Sequence, residues 1–263
     1  MDNAEIKKAN RKAMPRFILV VVVSLIAGGG VGYFSAEFGL NALSEHIKSM
    51  GALFGLHIAP WLLLALAVML PLISILFFMK AKQLLSAWDG EDEALPDAVD
   101  AKLSVILWIS SAGLIASFFL IAAAYSGGFS ALGSGEHLAP FFVSILAFFG
   151  TLIEVIVIQQ KCIDMAKKTN PEKTASVYDM KFHKKWMDSC DEAEKLLIGK
   201  CAFKAFGATN TACMLLAVIL AVGALVFEIG FLPSLVVCLI WIVNQSAYYR
   251  EAVKYSRAGN RIS

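Results

Sequence analysis

Six predominantly apolar runs, each about twenty residues long, constrain this chain more than any other feature of its sequence. They extend over about 17–38, 58–80, 103–126, 138–160, 205–227 and 231–249. An α-helix needs about 20 apolar residues to cross the hydrocarbon core of a bilayer, and lipid offers no hydrogen-bond partner to open backbone. The pattern therefore predicts an all-α, polytopic membrane helix bundle with six transmembrane helices, formed by 1–263 as a single integral membrane domain.

The overall composition agrees with this prediction. Hydrophobic residues make up 58% of the chain and charged residues 17%, whereas soluble domains average about 45–50% and about 25%. The mean hydropathy is +0.69, so we expect much of the apolar surface to face lipid. Basic residues are spread over several segments and no reading module for nucleic acid is present, so nucleic acid is not an expected partner.

The distribution of positive charge predicts the orientation in the membrane. Every Lys and Arg except Lys48 lies in the N-terminal tail, in 80–102, in 161–204 or after residue 249. With six spans, these four segments share one side of the membrane. Cytoplasmic segments of membrane proteins are enriched in Lys and Arg. The sequence thus predicts three helical hairpins with both termini cytoplasmic.

Two of the runs begin alike, with His57-Ile58-Ala59-Pro60 and His137-Leu138-Ala139-Pro140. The match and the equal lengths of the two runs favour an internal repeat of duplicated hairpins. Convergent helix-start chemistry is the alternative, because Pro is well tolerated in the first turn of a helix. Either interpretation places a helix start near residue 58 and a loop over 39–57.

The long polar segment 161–204 is expected to be ordered. From Phe182 onward, apolar residues recur every three or four positions, as in a one-sided helix: Phe182, Trp186, Cys190, Ala193, Leu197 and Cys201. We therefore predict a cytosolic amphipathic helix between spans four and five, continuous with span five, with Phe182, Trp186 and Leu197 on its buried face. That face would pack beneath the bundle, lie among lipid headgroups or dock another protein.

The same segment carries a resemblance to a known family. The stretch Tyr178-Asp179-Met180-Lys181-Phe182-His183-Lys184-Lys185-Trp186 and the following 189–195 resemble the central part of an uncharacterised family of six-span membrane proteins from Gram-positive bacteria, known only as a domain of unknown function. The resemblance extends over most of the chain. It implies a multi-pass protein of the bacterial cell (plasma) membrane, with no assigned reaction. It also implies a setting near transcriptional regulators and export machinery, with another membrane protein or an export complex as partner.

Glu154 is the acidic residue that lies well inside an apolar run, where an ionised side chain is costly and often functional. Asn210 in the fifth run and Asn244 and Gln245 in the sixth lie in the same cytosolic half. These four intramembrane polar residues are candidates for one pocket in the inner leaflet. The structural alternative is a carboxyl group that is protonated or bonded to a neighbouring helix.

Motifs for other chemistry are missing from the sequence. The histidines match no metal-ligand spacing, no His-Glu-x-x-His is present, and the sequence contains no phosphate-cradling glycine motif. The five cysteines form no C-x-x-C pair. We expect no enzyme, catalytic residue, metal or cofactor. The lipid bilayer is the expected environment, and a non-enzymatic accessory or regulatory component of a membrane complex is the favoured function. A small-solute or ion transporter using Glu154 is the alternative.

Overall fold

The computed structural model describes residues 49–88, 94–126, 138–173, 175–227 and 230–257, together with scattered positions between 14 and 45. Their backbone is helical apart from turns and short connecting stretches, which confirms the all-α class. The six α-helices that we number within the described ranges are α1 Ala59–Ser86, α2 Ala94–Ala124, α3 Leu138–Thr169, α4 Phe182–Asp188, α5 Glu192–Phe227 and α6 Leu232–Arg257.

Five helical segments in the described part are long and apolar enough to cross a membrane, which identifies a membrane protein. They are Ser49–Ser86, Leu95–Ala124, Leu138–Thr169, Glu192–Ala224 and Leu232–Lys254. They coincide with the second to sixth runs of the sequence. The predicted first span, about 17–38, lies outside the continuously described residues and stays a prediction.

The second span begins earlier than the sequence suggested, so the predicted loop over 39–57 is wrong in its last part. The described helical backbone already includes Ser49 and passes through the π-helical turn Phe54–Ile58, where the Ala59 N–H donates to the Phe54 carbonyl oxygen five residues back. Pro60 has no N–H for the usual bond four residues back. The wider π-helical turn therefore continues the helix past Pro60, a residue type that usually marks a helix start.

The described helices belong to two compact units, Lys48–Ile198 and a second unit comprising Met1–Ile47 with Gly199–Ser263. In the unit Lys48–Ile198, α1 packs against α2 and α3, and α2 packs against α3. One buried cluster of this three-helix bundle contains Leu63, Leu120 and Phe148. The other contains Ala81, Ile106 and Cys162.

Buried hydroxyl groups let the three helices approach closely. Ser110, Ser117, Ser144 and Thr151 are fully buried, and each hydroxyl donates to a carbonyl oxygen three or four residues back in its own helix, at 2.7–3.0 Å. Because their hydrogen bonds stay within one helix, these residues act at the helix contacts as small side chains. Small residues at the contact surface are typical of membrane helix packing.

The second unit contains most of α5 and the whole of α6. Within it, the rings of Phe206 on α5 and Tyr248 on α6 stack with their centroids 4.5 Å apart. Most apolar side chains of these two helices are exposed, as expected for helices in contact with lipid.

Gly55 provides a test of the bundle packing. A Cβ atom at this position would overlap the carbonyl oxygen of Ala123 and the hydroxyl of Ser126 at the end of α2, whereas a Cβ at Gly150 would meet no atom within 4 Å. Overpacking costs about 1–3 kcal/mol. We expect Gly55→Ala to lower the unfolding midpoint of the detergent-solubilised protein by several degrees. Gly150→Ala should leave it unchanged or raise it, since Ala favours helix. Equal midpoints for the two variants would contradict the contact.

Candidate functional site

The intramembrane carboxyl group of Glu154 lies on α3, beside the point where α1 carries Pro71. Glu154, Pro71 and Ser74 line a pocket of about 250 Å³ whose other walls are almost entirely apolar: Ile75, Phe78, Ile106, Ile153, Val157, Ile158 and Lys161. Ser74 is 3% exposed. The pocket is thus a cleft between α1 and α3 in which Glu154, Ser74 and Lys161 are the polar residues of an otherwise apolar lining.

Two polar atoms in this pocket have unused hydrogen-bonding capacity. Within the described ranges, neither the Glu154 Oε2 atom nor the Ser74 Oγ atom has a hydrogen-bond partner, and both atoms are buried. A buried polar atom without a partner costs free energy. The Glu154 side chain therefore favours a proton, a cation or a hydrogen-bond donor from a bound molecule.

Ser74 was not among the residues that we predicted from sequence. One signal could have indicated it: Ser74 is the only Ser or Thr between Ala59 and Leu85. It also follows the helix-interior Pro71 by three residues. A polar residue next to a proline inside a membrane span is a place where helix geometry and hydrogen bonding both change.

The structure brings the three predicted amide residues together in the second unit. Asn210 on α5 accepts hydrogen bonds at its Oδ1 atom from Asn244 Nδ2 and Gln245 Nε2 of α6, both at 3.2 Å. The indole N–H of Trp241, which we did not predict, donates to the same oxygen at 3.1 Å. The three donors share the two lone pairs of this carbonyl oxygen, so Asn210 Oδ1 has no capacity left to accept a further hydrogen bond. The cluster therefore holds α5 against α6.

The predicted pocket that contains Glu154 together with all three amides stays a prediction. Glu154 belongs to the unit Lys48–Ile198, and the amide cluster belongs to the other unit. Within the second unit, the buried Gln245 Oε1 atom is left without a hydrogen-bond partner among the described residues.

The segment between α3 and α5 is ordered and attached by two buried polar side chains. The first is Gln160 on α3, whose Oε1 atom accepts from the Val177 N–H at 2.8 Å and from the Ser176 hydroxyl at 3.0 Å. Its amide nitrogen donates to Asp164 at 2.8 Å. Gln160 thus fixes the start of this segment against α3.

The second attachment is Lys173, which is 4% exposed. Its ammonium forms an ion pair with Glu194 and donates to the Ser189 carbonyl oxygen at 3.3 Å. The ammonium also lies 5.4 Å from the ring centre of Trp186, a favourable cation–π contact. Burial lowers the pKa of Lys173, but the hydrogen bonds to Glu194 and Cys190 outweigh burial and raise the pKa above its usual value.

The predicted continuous helix from Phe182 into span five is wrong, because the helical structure is interrupted between α4 and α5. Asp191 caps α5: its Oδ1 atom accepts from the Glu194 N–H at 2.7 Å, and its own N–H donates to Glu194 Oε2 at 3.0 Å. This reciprocal pair is a capping box, which starts a new helix. Glu192–Phe227 then forms one helix. This confirms the part of the prediction in which helix from the polar segment continues into span five.

The predicted buried face consisted of Phe182, Trp186 and Leu197, and the interruption places the first two on α4 and the third on α5. Phe182 and Trp186 are half-buried, and their rings stack at 5.8 Å. Trp186 lines a cavity of about 320 Å³ with residues of α2 and α3. Leu197 lies beyond the break and is 62% exposed, so its predicted burial is wrong. The apolar stripe is confirmed for the short helix α4 and for Cys190 just after it, which is 6% exposed, and it does not continue along α5.

The outward side of this segment combines apolar and basic side chains. Tyr178 is 69% exposed and Met180 is fully exposed, and Lys181, Lys184 and Lys185 are exposed beside them. Asp179 pairs with Lys185, and hydrogen bonds from the Lys185 ammonium and the Lys181 N–H lower the pKa of Asp179. We call the five residues Tyr178, Met180, Lys181, Lys184 and Lys185 the outer face.

The described residues contain no group of three His, Cys, Asp or Glu side chains that could hold a metal ion. His46 and His137 lie outside the described residues. All five cysteines are free thiols.

The role of Lys173 can be tested by hydrogen exchange. We expect Lys173→Met to remove the charged hydrogen bonds from the ammonium to Glu194 and to the Ser189 carbonyl oxygen, at a cost of about 1–3 kcal/mol. That cost should raise amide exchange in 175–191 about tenfold or more, measured by mass spectrometry, while the exposed Lys184→Met should not. Since the pKa of Lys173 is raised, the attachment should persist through neutral pH and be lost only above the usual lysine range. Equal exchange in the two variants would show that Lys173 does not hold the segment.

Comparison with known proteins gives one match. A family model described as a protein of unknown function (DUF3169) matches residues 11–252. No protein of curated function and no solved structure matches the chain significantly. The match covers most of the chain, so the protein belongs to the DUF3169 family, in agreement with the resemblance noted in its central segment.

Proposed function

We propose that this DUF3169 protein is a six-span protein of the bacterial cell membrane, built from three helical hairpins with both termini in the cytoplasm. Five described helices of sufficient length and apolarity support the count, and the apolar run over about 17–38 supplies the sixth. The concentration of Lys and Arg in alternate segments supports the orientation. The matching sequences His57-Ile58-Ala59-Pro60 and His137-Leu138-Ala139-Pro140 support duplicated hairpins.

Reporter fusions test this topology. An alkaline phosphatase, active only outside the cytoplasm, should be active when fused after residue 130 and inactive when fused after residue 174 or at the C-terminus. A fluorescent protein that matures only in the cytoplasm should give the opposite pattern. Phosphatase activity at the C-terminus would contradict the proposed orientation and the even number of spans.

For activity, we propose a non-enzymatic accessory or regulatory component of a membrane complex. The observation that carries this proposal is the ordered segment between α3 and α5, held by Gln160 and Lys173 with its outer face exposed. A fixed surface loses little conformational entropy on binding. Exposed aromatic and Met side chains among charges are typical of protein-binding surfaces. The proposal assigns no reaction, catalytic residue, metal or cofactor.

Purification from native membranes tests the accessory role. We expect a second membrane protein, such as a component of an export complex, to co-purify in fixed stoichiometry with the wild-type protein. Replacing Tyr178 and Met180 by Ser should reduce recovery of that partner at least fivefold. Val253→Ser, which changes an exposed apolar residue of α6, should leave recovery unchanged. Wild-type protein that purifies without any stoichiometric partner would contradict the proposal.

Transport of a small solute or ion is the second candidate, and the pocket at Glu154 favours it specifically. A buried carboxyl oxygen without a partner inside a membrane helix is typical of proton and cation pathways. Purified protein in liposomes containing a pH-sensitive dye would then show proton flux in response to a pH gradient. Glu154→Gln should abolish the flux, and the same change at the exposed Glu172 should preserve it. Absence of flux in the wild type would argue against proton transport.

A further inference from the structure

In the pocket between α1 and α3, two buried polar atoms have no hydrogen-bond partner among the described residues. Pro71 contributes no N–H. Within the described ranges, no side chain donates to Glu154 Oε2 or accepts from Ser74 Oγ. Lys161 also lines the pocket, but its side chain is exposed and makes no ion pair with Glu154 in the described part. The pocket therefore presents a carboxylate and a hydroxyl to whatever occupies it.

The lining restricts what kind of molecule fits. Apart from Glu154, Ser74 and Lys161, all lining side chains are apolar, and Ile75 and Ile153 on the border are more than half exposed. The volume of about 250 Å³ is below that of pockets for drug-sized ligands, about 300–1,000 Å³. A fitting molecule places a small polar head beside Glu154 and a hydrocarbon chain against Ile75 and Ile153.

We propose that this pocket binds a hydrophobic primary ammonium compound, with its head hydrogen-bonded to Glu154 and Ser74. An ammonium group brings a positive charge to the carboxylate and N–H donors to both oxygens, which satisfies the two unpartnered atoms together. A neutral alcohol would supply one donor and no charge. An anion would be repelled by Glu154. This inference goes beyond both proposed functions, because binding requires neither a partner protein nor transport.

Chain-matched probes test the ligand class on the full-length protein in phosphatidylcholine nanodiscs. Decylammonium should raise the unfolding midpoint in a saturable way, since a ligand that binds only the folded state stabilises it. Decanol and decyltrimethylammonium should give less than a third of that shift. The first lacks the charge, and the second lacks N–H donors. Equal shifts for decylammonium and either of the other probes would overturn the assignment.

Variants locate the effect in the pocket. Glu154→Gln should remove most of the decylammonium shift and Ser74→Ala about half of it. Glu172→Gln, the same chemical change at an exposed position, should keep the wild-type response. A full response in Glu154→Gln would overturn the proposal, because alkylammonium partitioning into lipid would then explain the wild-type shift.

A chemical test needs no variant. In the wild-type protein, a hydrophobic carbodiimide should couple decylamine to Glu154, forming an amide and converting the carbodiimide to its urea with the water removed. Mass spectrometry should find the decylamide at Glu154 at higher occupancy than at Glu172. Coupling at Glu172 without coupling at Glu154 would overturn the proposal even if the Glu154 variants fail to fold.

Discussion

The absence of water from the hydrocarbon core is the constraint on which this structure depends. Every polar group there must find its partner inside the protein. Helical backbone meets this demand, and at Pro60 a π-helical turn preserves helical continuity where the usual N–H is missing. The hydroxyls of Ser110 and Ser144 donate to their own helices, and Asn210 accepts three donors from α6 and so joins two helices. Against this background, Ser74 and Glu154 are functional candidates, because their unpartnered atoms lie in one pocket.

Sequence reasoning predicted the features that depend on long apolar runs. The start of α3 at Leu138 agrees with the predicted start of the fourth span, and the helix continues past the predicted end at residue 160 to Thr169, just before Asn170-Pro171. The start near residue 58 was wrong because a proline usually marks a helix start, and only the backbone geometry shows that the helix passes through it. The amide residues were predicted from their depth in the runs, and their mutual hydrogen bonds follow from the packing of α5 on α6.

The failures in the polar segment between α3 and α5 have a different cause. The apolar stripe from Phe182 to Cys201 has helical spacing, and spacing alone does not detect a break of three residues. The local signal was present in Asp191 and Glu194, whose separation fits a capping box. The attachment by Lys173 could not be predicted, because a lysine in a polar stretch is normally exposed. Here the lysine is buried since Glu194, Ser189 and Trp186 converge on it from a later part of the chain.

The buried hydroxyls of the three-helix bundle affect how this interface can change over evolution. Since Ser110, Ser117, Ser144 and Thr151 donate within their own helices, the helix contacts at these positions depend on side-chain size far more than on polarity. At the three serine positions, exchange among Ser, Ala and Gly keeps the helices at the same distance, whereas a single larger aliphatic or aromatic replacement separates them. Sequence divergence at these positions should therefore alter chemical character freely while volume stays nearly constant.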